Sequence, residues 1–178
     1  VKCSSVLFDD IKRHGGNGIM WKAGHSLIKA KMRETGAELG GEMSGHIFFT
    51  DRFFGHDDAI YASCRLLEIL SRTDKKLSEL LSDLPETFAT PEIRADCPDE
   101  VKFFVVERAK AYFRENYKTI EVDGVRILFD DGAWGLIRAS NTQPVLVLRF
   151  EAPSPKRLEE IREIVEGGLK EINHSAGI

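Results

Sequence analysis

Two short segments of the chain carry more donors and charges than a connecting loop requires. Arg138-Ala139-Ser140-Asn141-Thr142-Gln143-Pro144 lies between two apolar runs and sets a guanidinium, two hydroxyls and a side-chain amide within five residues. Such a set suits a phosphate group: arginine offers a planar fork of N–H donors, and short polar side chains with backbone amides can close around the remaining oxygens. A plain polar hairpin loop uses the same residue types for turn chemistry, so the residues alone leave both readings open. Arg149, on the returning strand, can add positive charge. In Gly40-Gly41-Glu42-Met43-Ser44-Gly45-His46, Glu42 and Ser44 fall on one side of an extended backbone. A carboxylate and a hydroxyl so placed can accept from and donate to neighbouring sugar hydroxyls, and His46 is a candidate proton carrier near neutral pH. The alternative is a glycine-rich bend with its charges in water. Gly24-His25-Ser26 opens a helix, where N–H groups attract anions, although local sequence favours Ser26 as a plain cap and His25 as a surface residue. His25, His46, His56 and Asp57 lack the close i, i+4 or CxxC-like spacing of a metal site, so a protein-only zinc centre is not expected and no residue is assigned as a metal ligand. Gly15-Gly16-Asn17-Gly18 has no Lys-Ser/Thr to follow and reads as a linker, not a phosphate loop.

The elements that must position these segments follow from periodicity and punctuation. Ser4 or Ser5 can cap a helix through Val6, Leu7 and Ile11, stopped by Gly15-Gly16. Ile19-Met20-Trp21 reads as a buried strand, and Ser26–Glu34 as a helix with Gly36 just beyond it. Ala37–Leu39 and Ile47–Phe49 are expected strands flanking the glycine-rich segment. Asp57 or Asp58 starts a helix through Ile60, Leu67 and Leu70, and a short amphipathic helix follows at Leu77, Leu80 and Leu81. Leu84-Pro85 ends this pattern, and a domain boundary is expected there. Beyond it come a strand over Phe88–Ala95 and a helix from Asp99 to Glu115 with Val101, Phe104, Val105 and Tyr112 inward. Ile120 and Val122 then lead into Asp123-Gly124, a strong hairpin signal. Return strands follow at Val125–Phe129, Trp134–Arg138 and Val145–Phe150, and a terminal helix carries Leu158, Ile161, Val165, Leu169 and Ile172. The first half is therefore expected to be α/β, and the second a small α+β domain whose antiparallel sheet is covered on one face.

Of the 178 residues, 25 are basic and 29 acidic, a net charge of −4. That balance argues against a dedicated nucleic-acid binder, whose backbone affinity rests on excess Lys and Arg. Cys3, Cys64 and Cys97 are far apart and odd in number, so a reducing, cytoplasmic setting is the simplest expectation. No apolar run approaches the roughly 20 residues of a membrane span. The chain begins at Val1 without Met, which suggests an excised fragment.

The chain resembles the C-terminal part of the α-D-phosphohexomutase superfamily, in its bacterial phosphomannomutase/phosphoglucomutase branch, over nearly its whole length. Three motifs carry the resemblance: Trp21-Lys22-Ala23-Gly24-His25-Ser26, Gly41-Glu42-Met43-Ser44-Gly45-His46 and Arg138-Ala139-Ser140-Asn141-Thr142. Members have four domains. By resemblance, residues 1–85 are an N-terminally truncated third domain, three-layered α/β and sugar-binding, and residues 86–178 are the fourth, an α+β, TATA-binding-protein-like, phosphate-binding domain. The implied activity is reversible interconversion of hexose 1-phosphate and hexose 6-phosphate through a bisphosphorylated sugar. Glu42 and Ser44 would hold the vicinal 3- and 4-hydroxyls; Arg138, Ser140, Asn141 and Thr142 would grip the phosphate that is not reacting. Lys2, His25 and His46 match ligand-contacting positions. The family's phosphoserine loop and Asp-rich magnesium loop do not occur in these residues, so the resemblance implies magnesium only in the full-length parent and no activity for this chain alone. Implied partners are a hexose phosphate and the remaining domains of the same enzyme, with no nucleic acid and no membrane. Two alternatives are a phosphoglucosamine mutase, a branch that usually has Gln where this chain has Met43, and a non-catalytic phosphosugar-binding module.

Overall fold

The Ser4 hydroxyl accepts the Val6 N–H at 3.1 Å and starts α1 (Ser5–Arg13), the cap expected from sequence. The computed structural model describes residues 1–176, and the chain divides into two compact units, Val1–Pro85 and Glu86–Ile178. In the first unit α2 (His25–Thr35) is capped by Gly24, not Ser26, and ends at Gly36. It lies against a two-stranded antiparallel sheet of β1 (Leu39–Gly41) and β2 (Ile47–Phe49), with Leu39 opposite Phe49 and Gly41 opposite Ile47. Ile28 and Met32 come off α2 one turn apart and close on Phe48, which is fully buried. Asp58 accepts the Tyr61 N–H at 2.8 Å and starts α3 (Ala59–Leu70).

Two expectations for this unit fail. Ile19-Met20-Trp21 forms no strand, because no described strand offers it a ladder; the Trp21 carbonyl instead accepts the Val1 ammonium at 2.9 Å. Helix α3 forms where expected, and it leaves Ile60 and Leu67 80% and 63% exposed. The inward stripe is Tyr61, stacked on Phe53 at 4.0 Å, and Arg65, 4.8 Å from the Phe49 ring and bonded to the Asp51 carbonyl. The expected helix at Leu77–Leu81 shrinks to a single 3₁₀ turn, Leu77–Glu79, with Leu77 and Leu81 exposed.

The second unit is built on one antiparallel sheet. The stretch expected as one strand breaks at Pro91, which has no N–H for a ladder, into β3 (Phe88–Ala89) and β4 (Ile93–Asp96), both paired with β8 (Val145–Ala152). Next to β8 run β7 (Trp134–Ala139), β6 (Val125–Leu128) and β5 (Lys118–Ile120), in the order β3-β8-β7-β6-β5. Helices α4 (Lys102–Arg114) and α5 (Pro155–Ala176) cover the face that carries Val125, Ile127, Ile137, Leu148 and Phe150. On α4 the buried stripe is Val105, Val106, Ala109 and Phe113, whereas Phe104 and Tyr112, expected inward, are half or more than a third exposed. Both have polar reasons to stay out: Arg108 lies over Phe104, and the Tyr112 hydroxyl donates to Glu171 at 2.8 Å. The helices cover one face of the sheet, as expected, and the opposite face is also buried at Arg126, Trp134, Leu136, Arg138 and Glu151. There Arg126 stacks on the Trp134 indole at 3.7 Å, and the indole N–H donates to Glu151 at 2.9 Å.

Candidate functional site

In the first unit the connection between β1 and β2 is a tight hairpin. The Gly45 N–H donates to the Glu42 carbonyl at 3.0 Å and the Glu42 N–H to the His46 carbonyl at 2.9 Å. This is a turn followed by a bulge residue with positive φ, and Gly45 at φ +92° supplies it without a Cβ penalty. The loop therefore aims Glu42 and His46 from its two legs and leaves Ser44 exposed at its tip.

Glu42 is fixed from the neighbouring helix. Its Oε1 accepts the Gly24 N–H at 2.8 Å, so the carboxylate sits at the positive end of α2. Its Oε2 is 3.8 Å from His25 Nε2. His25 is the first residue of α2 and stands edge-on to both Phe48, at 5.3 Å, and His46, at 4.3 Å between ring centroids. The floor of the site is thus Phe48, the anchor of the unit's small core.

A fourth group completes the cluster. After β2 the chain turns, with the Gly55 N–H on the Phe49 carbonyl at 2.7 Å, and returns so that Asp57 bridges antiparallel to Phe48. Asp57 Oδ2 then lies 2.7 Å from His46 Nδ1 and 3.7 Å from His25 Nε2. Loss of solvation pushes the Asp57 carboxyl up, but the His46 hydrogen bond, the imidazole charges and the Ile47 backbone outweigh it and hold it below its ordinary range. An ionised carboxylate only accepts, so His46 Nδ1 donates to it and Nε2 is left as the basic atom of the ring. Spacing in the sequence argues against a metal centre at these residues. The fold closes that spacing: ligand atoms of His25, His46 and Asp57 all lie within 4.8 Å of one another. In sequence Asp57 is visible as a helix starter and as a member of a group too widely spaced for a metal, since the bridge to Phe48 that makes it a site residue leaves no local signature. Lys2 lies on the segment that Val1 ties to Trp21, three residues before Gly24.

The second unit holds the other expected cluster. Arg138, 5% exposed at the end of β7, gives Nε and Nη2 to the two carboxylate oxygens of Asp123 at 3.1 and 3.5 Å. The guanidinium expected to meet a phosphate as an open fork is therefore already shared with a carboxylate. Ser140 Oγ accepts the N–H groups of Thr142 and Gln143 at 3.3 and 3.2 Å, folding the loop back on itself, while Asn141 and Thr142 are exposed. Lys102, 4% exposed, was missed in sequence; its ammonium donates to the Gln143 carbonyl at 3.0 Å and to Asp99. Arg94 holds the Gln143 side chain at 2.9 Å. A buried cation, Lys102, and an exposed one, Arg94, thus brace the C-terminal leg of the loop. Arg149 pairs across the sheet with Leu136, two residues from Arg138, and its Nε is buried without a hydrogen-bond partner among the described residues.

Comparison with known proteins is consistent in both units. Residues 1–88 match the family described as phosphoglucomutase/phosphomannomutase, alpha/beta/alpha domain III, and residues 92–167 match phosphoglucomutase/phosphomannomutase, C-terminal domain. A phosphomannomutase/phosphoglucomutase of Pseudomonas aeruginosa is 48% identical over 178 residues, 98% of this chain and 38% of the relative. A phosphoglucomutase of Neisseria gonorrhoeae is 50% identical over 165 residues, 91% of this chain and 35% of the relative. A crystal structure of a phosphoglucomutase/phosphomannomutase family protein from Burkholderia thailandensis superimposes with a TM-score of 0.86 at 42% identity, covering 97% of this chain and 36% of that one. The chain spans little more than a third of the length of these relatives.

Proposed function

The chain belongs to the phosphoglucomutase/phosphomannomutase family as its domains III and IV, and from that premise we propose that it is the sugar- and phosphate-binding part of an enzyme that interconverts hexose 1- and 6-phosphates through a bisphosphorylated sugar. The observation that carries the proposal is the convergence of Glu42, His25 and His46 on one hairpin, with Ser44 exposed at its tip. Glu42, oriented by Gly24, accepts from vicinal sugar hydroxyls, and Ser44 donates alongside it. Because the two hydroxyls are alike from either side, one pair of side chains serves both orientations of the sugar. His46 carries a proton at Nε2. The Arg138–Thr142 loop holds the phosphate that is not reacting, and Lys2 and His25 add contacts to the sugar phosphate. Positioning the far end of the substrate in this way orients the reacting end, which is the larger part of phosphoryl-transfer catalysis.

The nucleophile and its magnesium belong, on this reading, to other domains of the parent. Magnesium takes oxygen ligands in near-octahedral geometry, and the ligand cluster among the described residues contains two imidazoles. Magnesium does not fit it, and no step is assigned to magnesium in this chain. The setting proposed is the cytoplasm; no helix among the described residues is long and apolar enough to cross a membrane.

The test is a titration of this chain with glucose 6-phosphate and mannose 1-phosphate, followed by backbone amide NMR. Shifts are expected at Glu42–His46 and at Ala139–Thr142. The latter set should shrink with salt and vanish in Arg138→Ala. A phosphate-dependent response elsewhere with both loops silent would overturn the assignment.

A further inference from the structure

We propose that His25, His46 and Asp57 form a binding site for a divalent transition ion of the zinc type. Donor atoms around a tetrahedral zinc at about 2.0–2.1 Å stand about 3.3 Å apart. The carboxylate oxygen Oδ2 of Asp57 is 2.7 Å from His46 Nδ1 and 3.7 Å from His25 Nε2, distances that bracket this spacing, and the whole set fits within 4.8 Å. Two imidazoles and one carboxylate are a zinc-type ligand set, and three protein ligands leave the fourth position to water.

The ligands are held by three different pieces of backbone: the start of α2, one leg of the hairpin, and the segment bridged to Phe48. All three rest on the buried Phe48 ring or its backbone, so the site is pre-arranged and does not have to be assembled by the ion. Their side chains remain 43%, 44% and 29% exposed, which gives the ion an open path. Glu42 Oε2, 3.8 Å from His25 Nε2, adds a second negative charge beside the first. The ion takes the position of the proton between His46 Nδ1 and Asp57, and that proton moves to Nε2, so the imidazole stays a neutral ligand.

Occupancy has a consequence that rests on the sugar reading above. A bound ion fixes both imidazoles inward and draws on the charge next to Glu42, so metal and hexose phosphate exclude one another at this hairpin. Zinc-type ions then weaken the binding of hexose phosphate at this hairpin.

Calorimetric titration of this chain with zinc chloride tests the binding. The expected result is one ion per chain with micromolar affinity. Affinity should fall at least tenfold in His25→Ala and in His46→Ala, and persist in a Cys3→Ser, Cys64→Ser variant. Asp57→Asn, which keeps the shape of the side chain, should weaken binding comparably and covers the case of a His variant that does not fold. Cobalt substitution should give a coordination spectrum without a sulfur charge-transfer band. Undiminished zinc binding in both His variants, loss in the Cys variant, or no saturable binding below about 1 mM would overturn the site. A separate arm adds hexose phosphate: shifts at Glu42–His46 that survive saturating zinc overturn the exclusion. If hexose phosphate gives no such shifts without zinc, the sugar reading fails while the metal site stands.

Discussion

His46 and Asp57 show how much of this site depends on one hydrogen bond. A carboxylate that ionises more readily in the folded chain stabilises the fold above its unfolded value near 3.9, and loses that contribution as pH falls through the lower folded value. Glu68, Asp83, Glu121 and Asp131 are also held below their ordinary ranges and titrate in the same acid window. A difference measurement isolates Asp57: between about pH 5 and pH 2 the melting temperature of the wild type should fall more steeply than that of Asp57→Asn. Parallel curves would remove the His46–Asp57 pair as an acid-sensitive contact. At Gly124 the constraint is steric. Its φ is +79°, and a Cβ there would stand 2.2 Å from the Ile137 carbonyl oxygen and 2.7 Å from the Arg138 backbone. Gly124→Ala should therefore cost at least about 2–3 kcal/mol in chemical denaturation, and it should loosen the Asp123–Arg138 pair that this turn sets.

At the level of elements, what was legible in sequence was what local chemistry decides. Ser4 and Asp58 act as caps because a side-chain oxygen reaches its own helix, and Asp123-Gly124 makes a hairpin because the turn needs a residue free of Cβ. What was not legible depends on partners distant in sequence. Ile19–Trp21 has strand composition and no ladder, and α4 exposes Phe104 because Arg108 and α5 decide which stripe is buried. The candidate site divides along the same line: Glu42, Ser44 and His46 lie within one hairpin, whereas Asp57 and Lys102 enter through a bridge and a carbonyl many residues away. The loop after β7 gives a prediction at this scale. Ser140 Oγ, in a residue 7% exposed, takes two backbone N–H groups. Ser140→Ala should destabilise the second unit by about 1 kcal/mol, because solvent reaches the freed amides in part, and should broaden the Asn141 to Gln143 amide resonances. Unchanged stability and sharp resonances would mean that the backbone alone holds the loop.

Across the whole molecule, apolar burial is unevenly shared, and the chain carries its own reporters for the consequence. Buried apolar side chains of the first unit gather at Ile28, Met32 and Phe48, while many of its large apolar residues, such as Phe54, Ile60, Leu67 and Leu81, are well over half exposed. The second unit buries both helices against a sheet whose central strands are fully shielded. Since stability follows the apolar area removed from water, the first unit should open at a lower temperature than the second. Each unit contains one tryptophan. Trp21 is half-buried under the Lys31 ammonium at 4.4 Å, and Trp134 is fully buried with its N–H on Glu151. In a Trp134→Phe variant the remaining fluorescence should report an early transition, and in Trp21→Phe a later one. Hydrogen exchange should run the same way, fast over α2 and the hairpin and slow over β6, β7 and β8. Zinc added to the Trp134→Phe variant should raise the early transition alone, because an ion that binds only the folded first unit shifts only that equilibrium. Coincident transitions for both tryptophans, unmoved by zinc, would instead require the two units to unfold as one cooperative body.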